Sequence, residues 1–177
     1  RETRVFIDSN TFDGQYYYGF YGYYIGDGMK IRYNTMNKNS NSNTTNYGFI
    51  VYYGASNASV GQAEISNNTI IGNNLAANTT YGIQTGYYTG GVNIYNNYVR
   101  VSYRPLYVYG NTWDGSATYK TRIYNNQFVQ ENNTSALQGA IYIASNGSAP
   151  MVADIVHNNI SINALSGSGA AGVVFQN

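Results

Sequence analysis

One motif recurs six times along the chain: an apolar residue, two open positions, Asn, one open position and a second apolar residue. It reads Ile7-Asn10-Phe12, Ile31-Asn34-Met36, Ile65-Asn68-Ile70, Ile94-Asn97-Val99, Ile123-Asn126-Phe128 and Ile155-Asn158-Ile160. Successive starts lie 24, 34, 29, 29 and 32 residues apart. A repeat of this length marks a solenoid, in which each unit buries its apolar face against its neighbours. The 177 residues suit one such domain, residues 1–177.

Local pattern assigns the parts of each repeat. Two positions before each motif stands Val5, Met29, Ala63, Val92, Thr121 or Ala153. That period-two alternation predicts a short, half-buried strand. The strand runs into Asn, which tolerates a left-handed backbone and is expected to turn the chain. Stacked repeats place Asn10, Asn34, Asn68, Asn97, Asn126 and Asn158 above one another. Their amides are expected to hydrogen-bond along the stack, because a buried amide must be paired.

A second strand follows, usually introduced by Gly or Pro. Its expected inward pairs are Tyr23/Ile25, Phe49/Val51, Ile83/Thr85, Leu106/Val108, Ile141/Ile143 and Val173/Phe175. Loops of variable length, such as Asn37 to Asn46 and Gly72 to Thr80, absorb the uneven spacing. Outward neighbours pair as adjacent rungs should: Lys30 with Glu64, Arg122 with Asp154, Asp8 with Arg32, and Tyr95 with Tyr124.

These coils, with their Ile-x-x-Asn-x-apolar turn and Gly-apolar-x-apolar strand, resemble the right-handed parallel β-helix repeats of the pectate-lyase-like superfamily. The resemblance covers nearly the whole chain. It implies an all-β, right-handed parallel β-helix of about six coils. That fold carries lyases, hydrolases, phage tailspikes, adhesins and passive stalks, so it leaves function open.

Composition narrows the choice. Charged residues are only 10% and the net charge is +1, which excludes an electrostatic footprint for nucleic acid or an anionic membrane. No apolar run approaches the ~20 residues of a membrane span. Cysteine is absent, so disulfides and thiolate metal sites are excluded. Abundant Tyr, Asn, Gly, Ser and Thr point to an extracellular or cell-surface setting. Candidate N-glycosylation acceptors are Asn43, Asn57, Asn67, Asn78, Asn132, Asn133, Asn146 and Asn159. The opening Arg1-Glu2-Thr3-Arg4 and the closing strand read as a piece of a longer chain or as a stacking subunit.

Catalytic signals are sparse. β-helix lyases imply clustered Asp ligands for Ca²⁺ with an Arg or Lys base, and β-helix hydrolases imply paired Asp residues. No two acids here lie within two positions of each other, and only Asp13 and Asp27 are placed to meet, as turn residues before Gly14 and Gly28. His157, the single histidine, occupies the column of Asn67, Asn96 and Asn125 and reads as a turn residue. No cofactor or metal is expected. The 21 tyrosines are the strongest remaining signal. Tyr16, Tyr17, Tyr18, Tyr21, Tyr24, Tyr52, Tyr107 and Tyr142 are expected to form an outward surface for glycans or a protein partner. The expected function is a non-catalytic structural or adhesive segment that stacks end to end with copies of itself, with lateral contact between copies as the other expected mode of assembly. The alternative is a carbohydrate-active or carbohydrate-binding domain, lyase-, hydrolase- or tailspike-like. Thr forms no regular outward column, which argues against an ice-binding face.

Overall fold

A computed structural model describes residues 4–14, 17–24, 27–37, 45–72, 80–112, 118–133, 138–145, 151–164 and 170–176. These residues contain strands and no helix. The first coil holds β1 (Phe6–Asp8), β2 (Thr11–Asp13) and β3 (Tyr18–Tyr23); the second holds β4 (Lys30–Arg32), β5 (Thr35–Asn37) and β6 (Asn46–Tyr52). The third holds β7 (Ala63–Ser66), β8 (Thr69–Ile71) and β9 (Thr80–Gly86); the fourth holds β10 (Val92–Tyr95), β11 (Tyr98–Val101) and β12 (Arg104–Tyr109). The fifth holds β13 (Thr121–Tyr124), β14 (Gln127–Asn133) and β15 (Gln138–Ala144); the sixth holds β16 (Ala153–Val156), β17 (Asn159–Ala164) and β18 (Ala170–Gln176). Equivalent strands stack in parallel into three six-stranded sheets, which makes the chain a parallel β-solenoid.

Each coil therefore has three strands where the pattern predicts two. The motif spans two of them: its Ile lies on the first sheet, its second apolar residue on the second. The turn between them also differs from expectation. The residue with positive φ is the one before the ladder Asn: Ser9, Tyr33, Asn67, Asn96, Asn125 and His157, at 54–60°. The ladder Asn stays outside the left-handed region and sends its side chain inward, fully buried at Asn34, Asn68, Asn97 and Asn126.

That burial is satisfied by a directional ladder. In each coil the Asn backbone N–H and the side-chain Nδ2–H both donate to Oδ1 of the next Asn, at 2.9–3.0 Å from Asn10 through Asn158. The amide also donates backwards to the motif Ile carbonyl of the previous coil, as from Asn97 to Ile65 at 2.9 Å. Asn10 is exposed and Asn158 half-buried, while the middle four are closed to water.

Three apolar columns fill the interior. Ile31, Ile65, Ile94 and Ile123 form one, and Met36, Ile70, Val99 and Phe128 the second, all fully buried. The third comes from the last sheet, where Phe49/Val51, Ile83/Thr85, Leu106/Val108 and Ile141/Ile143 pair as expected. The first coil departs from expectation. Phe20 and Gly22 pair with Phe49 and Val51, and Tyr23 faces outward opposite Tyr52; Ile25 lies outside the described residues. The third sheet bends at a small-residue column of Gly19, Gly48, Gly82 and Pro105, where the pairing skips a position. A Cβ on Gly48 would sit 2.3 Å from the Gly82 carbonyl oxygen, so the corner excludes a side chain there.

The outward pairs Asp8/Arg32 (2.6 Å) and Lys30/Glu64 (3.1 Å) form as expected. Arg122 lies 3.8 Å from Asp154, but Lys120 takes the closer position at 2.7 Å. Arg100 and Glu131 add a further pair at 2.9 Å.

Replacing Asn97 by Ala removes the acceptor of two buried donors on Asn68 and the donor to Asn126. A loss of about 1–3 kcal/mol in urea denaturation is expected. The same change at exposed Asn10 should cost clearly less, and equal losses at the two sites would contradict the ladder as the stabilising element.

Candidate functional site: a tyrosine-lined face

The outer side of the bent third sheet carries four columns. Before the corner, Tyr18, Tyr47 and Tyr81 stack with centroids 5.4 and 4.9 Å apart and planes within 16°, and Arg104 takes the next rung. After it come Tyr21, Ile50, Gln84, Tyr107, Tyr142 and Val174, then Tyr23, Tyr52, Gly86, Tyr109, Ala144 and Gln176. The fourth column lies in the turn that ends the strand. Tyr24, Tyr53 and Tyr87 hold φ of 57–58° and stack at 4.8 and 4.6 Å.

Residues on either side of the corner converge. Tyr18 and Tyr21 have centroids 5.1 Å apart, and Tyr81 and Tyr107 6.2 Å apart. Arg104 closes the face at the fourth coil. Its guanidinium carbon stands 3.7 Å from the Tyr142 ring centroid and 4.9 Å from those of Tyr103 and Tyr107. A cation over an aromatic face is held by the ring quadrupole, more strongly as water is excluded.

The surface is graded along the axis. Tyr18, Tyr21, Tyr23 and Tyr24 are 45–53% exposed, whereas Tyr142 is 8% exposed. Of the expected surface residues, Tyr17, Tyr18, Tyr21 and Tyr24 are open, Tyr52 and Tyr107 are half-buried, and Tyr16 lies outside the described residues. Tyr142 points outward but is covered by Arg104 and the Tyr107 ring, and its hydroxyl donates to Gln176 Oε1. The pattern missed Tyr23, Tyr47, Tyr53, Tyr81, Tyr87, Tyr109 and Arg104. The repeated Tyr-Gly-apolar triplet, Tyr18-Gly19-Phe20, Tyr47-Gly48-Phe49 and Tyr81-Gly82-Ile83, is the signal that places Tyr47 and Tyr81; the others emerge only once the strands are paired.

Packing alters the phenols. Burial pushes the Tyr52 and Tyr81 hydroxyls well above the ordinary tyrosine value, and Tyr47 follows for the same reason. A hydrogen bond with Tyr109, then burial, raises Tyr87 to about 12.

The remaining candidates are elsewhere. Asp13 ends β2 on the second sheet, while Asp27 lies before β4, outside the sheet strands, and accepts the Arg4 N–H through its carbonyl. Among the described residues no group of three His, Cys, Asp or Glu converges as metal ligands would. His157 is an exposed turn residue, as expected. It lines an open depression of about 310 Å³ with Arg122, Tyr124, Asn125, Asp154 and Val156. Of the sequon asparagines, Asn159 is exposed at the start of β17. Asn57 accepts the backbone N–H groups of Ser59 and Val60 at 2.9 and 3.3 Å, and Asn67 accepts Asn96 Nδ2 at 3.3 Å. Asn132 and Asn133 fall within β14, and Asn43, Asn78 and Asn146 lie outside the described residues. Comparison with protein-family models, curated proteins and solved structures finds no match to this chain.

Two outcomes follow from the tyrosine face. Native phenols with raised values keep protons that the unfolded chain releases near pH ~10. Their stabilising contribution is therefore complete below about pH 10 and is lost as pH rises toward the native values. Urea midpoints measured alongside phenolate absorbance should fall across that window, and a flat alkaline limb would show that the face is not packed. Arg104→Ala should cost about 1–2 kcal/mol and increase Tyr142 exposure, read by urea denaturation and solvent quenching of tyrosine fluorescence.

Proposed function

We propose that this chain is a non-catalytic structural and adhesive module: a right-handed β-helix akin to the pectate-lyase-like superfamily, at the cell surface or outside the cell, extending by coil-on-coil stacking with copies of itself. The polarity of the asparagine ladder carries this reading. Among the described residues, no donor reaches Asn10 Oδ1 at one end and no acceptor meets the Asn158 backbone N–H at the other. An open acceptor at one end and an open donor at the other fit head to tail. Such a contact is heterologous and does not close. The same two faces suit further coils of a longer chain equally well.

Apolar side chains accompany those ends. Ile7, Phe12 and Phe20 are half-buried on the first coil, and Ile155, Ile160, Val173 and Phe175 stand on the sixth. Covering them contributes roughly 25 cal/mol per Å² of apolar surface. The absence of catalysis is supported by the occupation of the acids: Asp8, Glu64, Glu131 and Asp154 are all engaged in cross-coil ion pairs. A second reading, a glycan-binding face, is favoured by the open quartet Tyr18, Tyr21, Tyr23 and Tyr24, since sugar rings stack on exposed aromatics.

Residues 1–177, purified and imaged by electron microscopy over a range of concentrations, should form end-to-end assemblies. Val173→Asp places a charge on the sixth-coil face and should leave dispersed single particles with unchanged far-UV circular dichroism. A native chain that stays monomeric at every concentration overturns the stacking reading and leaves the binding face as the better account.

A further inference from the structure

The outer face of the first sheet holds a second aromatic pair with a different chemical setting. Tyr95 on β10 and Tyr124 on β13 are register neighbours, with ring centroids 4.8 Å apart and planes 5° from parallel. The Tyr95 hydroxyl donates to Glu64 Oε1 at 2.6 Å. Glu64 is itself fixed: Lys30 Nζ holds Oε2 at 3.1 Å, and Ser66 Oγ donates to Oε1. Its side chain is 13% exposed.

The state of that carboxyl group matters. Burial pushes Glu64 up, but the hydrogen bonds from Ser66, Tyr95 and Lys30 outweigh it and hold the carboxyl below its usual range. Glu64 is therefore a carboxylate at neutral pH. Burial, then the bond to Glu64, keeps Tyr95 protonated up to about 12. A phenol that loses an electron becomes a strong acid and must release its proton. At Tyr95 a base already stands at hydrogen-bond distance to receive it. The Tyr53–Tyr87 stack, at 4.6 Å and 5°, matches this pair in geometry, but no carboxylate bonds either hydroxyl among the described residues.

We propose that Tyr95 and Tyr124 form an oxidative cross-linking site that joins the fourth and fifth coils through a dityrosine bridge. Tyr95 gives up one electron, and its hydroxyl proton passes to Glu64. Tyr124 gives up one electron and one proton to solvent. The two ring carbons ortho to the oxygens then form a carbon–carbon bond, and the hydrogens on those carbons move to the oxygens and restore both phenols. The net loss is two electrons and two protons. A peroxide-fed haem peroxidase accepts them, reducing one hydrogen peroxide to two waters. Both rings are half-exposed to an oxidant.

The test is one-electron oxidation of the full 177-residue chain, dilute and near neutral pH, with persulfate and a light-excited ruthenium tris-bipyridine complex. Dityrosine fluorescence is followed by peptide mapping. An intrachain 95–124 bridge should be the leading product. Glu64→Gln should lower its yield several-fold while leaving any 53–87 bridge unchanged. Tyr95→Phe, which retains the stacked ring, should abolish the bridge and move the leading product elsewhere even if Glu64→Gln fails to fold. Bridges that form only between chains, or a 95–124 yield unaffected by Glu64→Gln in a chain with native circular dichroism, would overturn the proposal.

Discussion

A buried primary amide has two donors and two acceptor sites, and an apolar interior tolerates it only when they are met. In this chain they are met by the same residue one coil away and by the carbonyl of the motif Ile. The arrangement works only in one register. A slip of one residue would turn the Asn outward and the apolar columns with it, because strand side chains alternate faces. Repeats separated by 24 to 34 residues nevertheless superpose, since the length difference goes into loops while the ladder fixes the strands. The β-solenoid is in this sense organised around a column of side chains that contributes nothing apolar to the core.

Once the register is rigid, everything outside the wall is aligned as well. That is why a chain with so few charges places most of them in cross-coil pairs, and why tyrosines at equivalent positions stack. The turn column shows how strongly aromatic identity is retained. A bulky residue at positive φ is uncommon and costs roughly 1–2 kcal/mol relative to Gly. Tyr24, Tyr53 and Tyr87 all adopt it, where Gly110 fills the equivalent place in the fourth coil. Mutual stacking recovers part of that cost, at roughly 0.5–1.5 kcal/mol per aromatic pair. Rings at these turns extend the aromatic face beyond the strand end, which Gly or Asn would not do.

Much of this was legible in the sequence because the repeat is anchored by an invariant spacing within the motif. The ladder, the Asp8/Arg32 and Lys30/Glu64 pairs and the Tyr95/Tyr124 stack all follow from aligning Ile-x-x-Asn. The three-strand coil was not legible, because the motif itself crosses a corner: the turn occupies the position before Asn, filled by Ser, Tyr, Asn or His with no common chemistry. The first-coil register failed for another reason. From Tyr16 to Tyr24 the run is tyrosine and glycine with one Phe, so apolar alternation has nothing to count, and only the Tyr-Gly-Phe triplet locates the bend. Arg104 was missed because it replaces a tyrosine in its column, a substitution visible only after the strands are paired. The same residue explains why Tyr142, outward by parity, is nearly closed to water.

Two gradients run along the axis in the same sense. The ladder accepts at the first coil and donates at the sixth; the tyrosine face is open at the first coil, half-buried at Tyr107 in the fourth and covered by Arg104 at Tyr142 in the fifth. Under the proposed stacking these are not independent. A sixth coil seated in register on a first coil places Val174 over Tyr21 and Gln176 over Tyr23, continuing the columns that the strand pairing defines. Tyr142 shows what that neighbour does, since its hydroxyl already donates to Gln176. The open quartet would then acquire in the assembly the kind of cover that the later coils have within one chain. Under that stacking, the exposed aromatic surface on the first coil and the Asn10 oxygen, which no donor reaches among the described residues, would be covered by the same neighbouring rung. A ligand that binds the quartet would compete with that rung, which ties the adhesive and the stacking readings to the same surface.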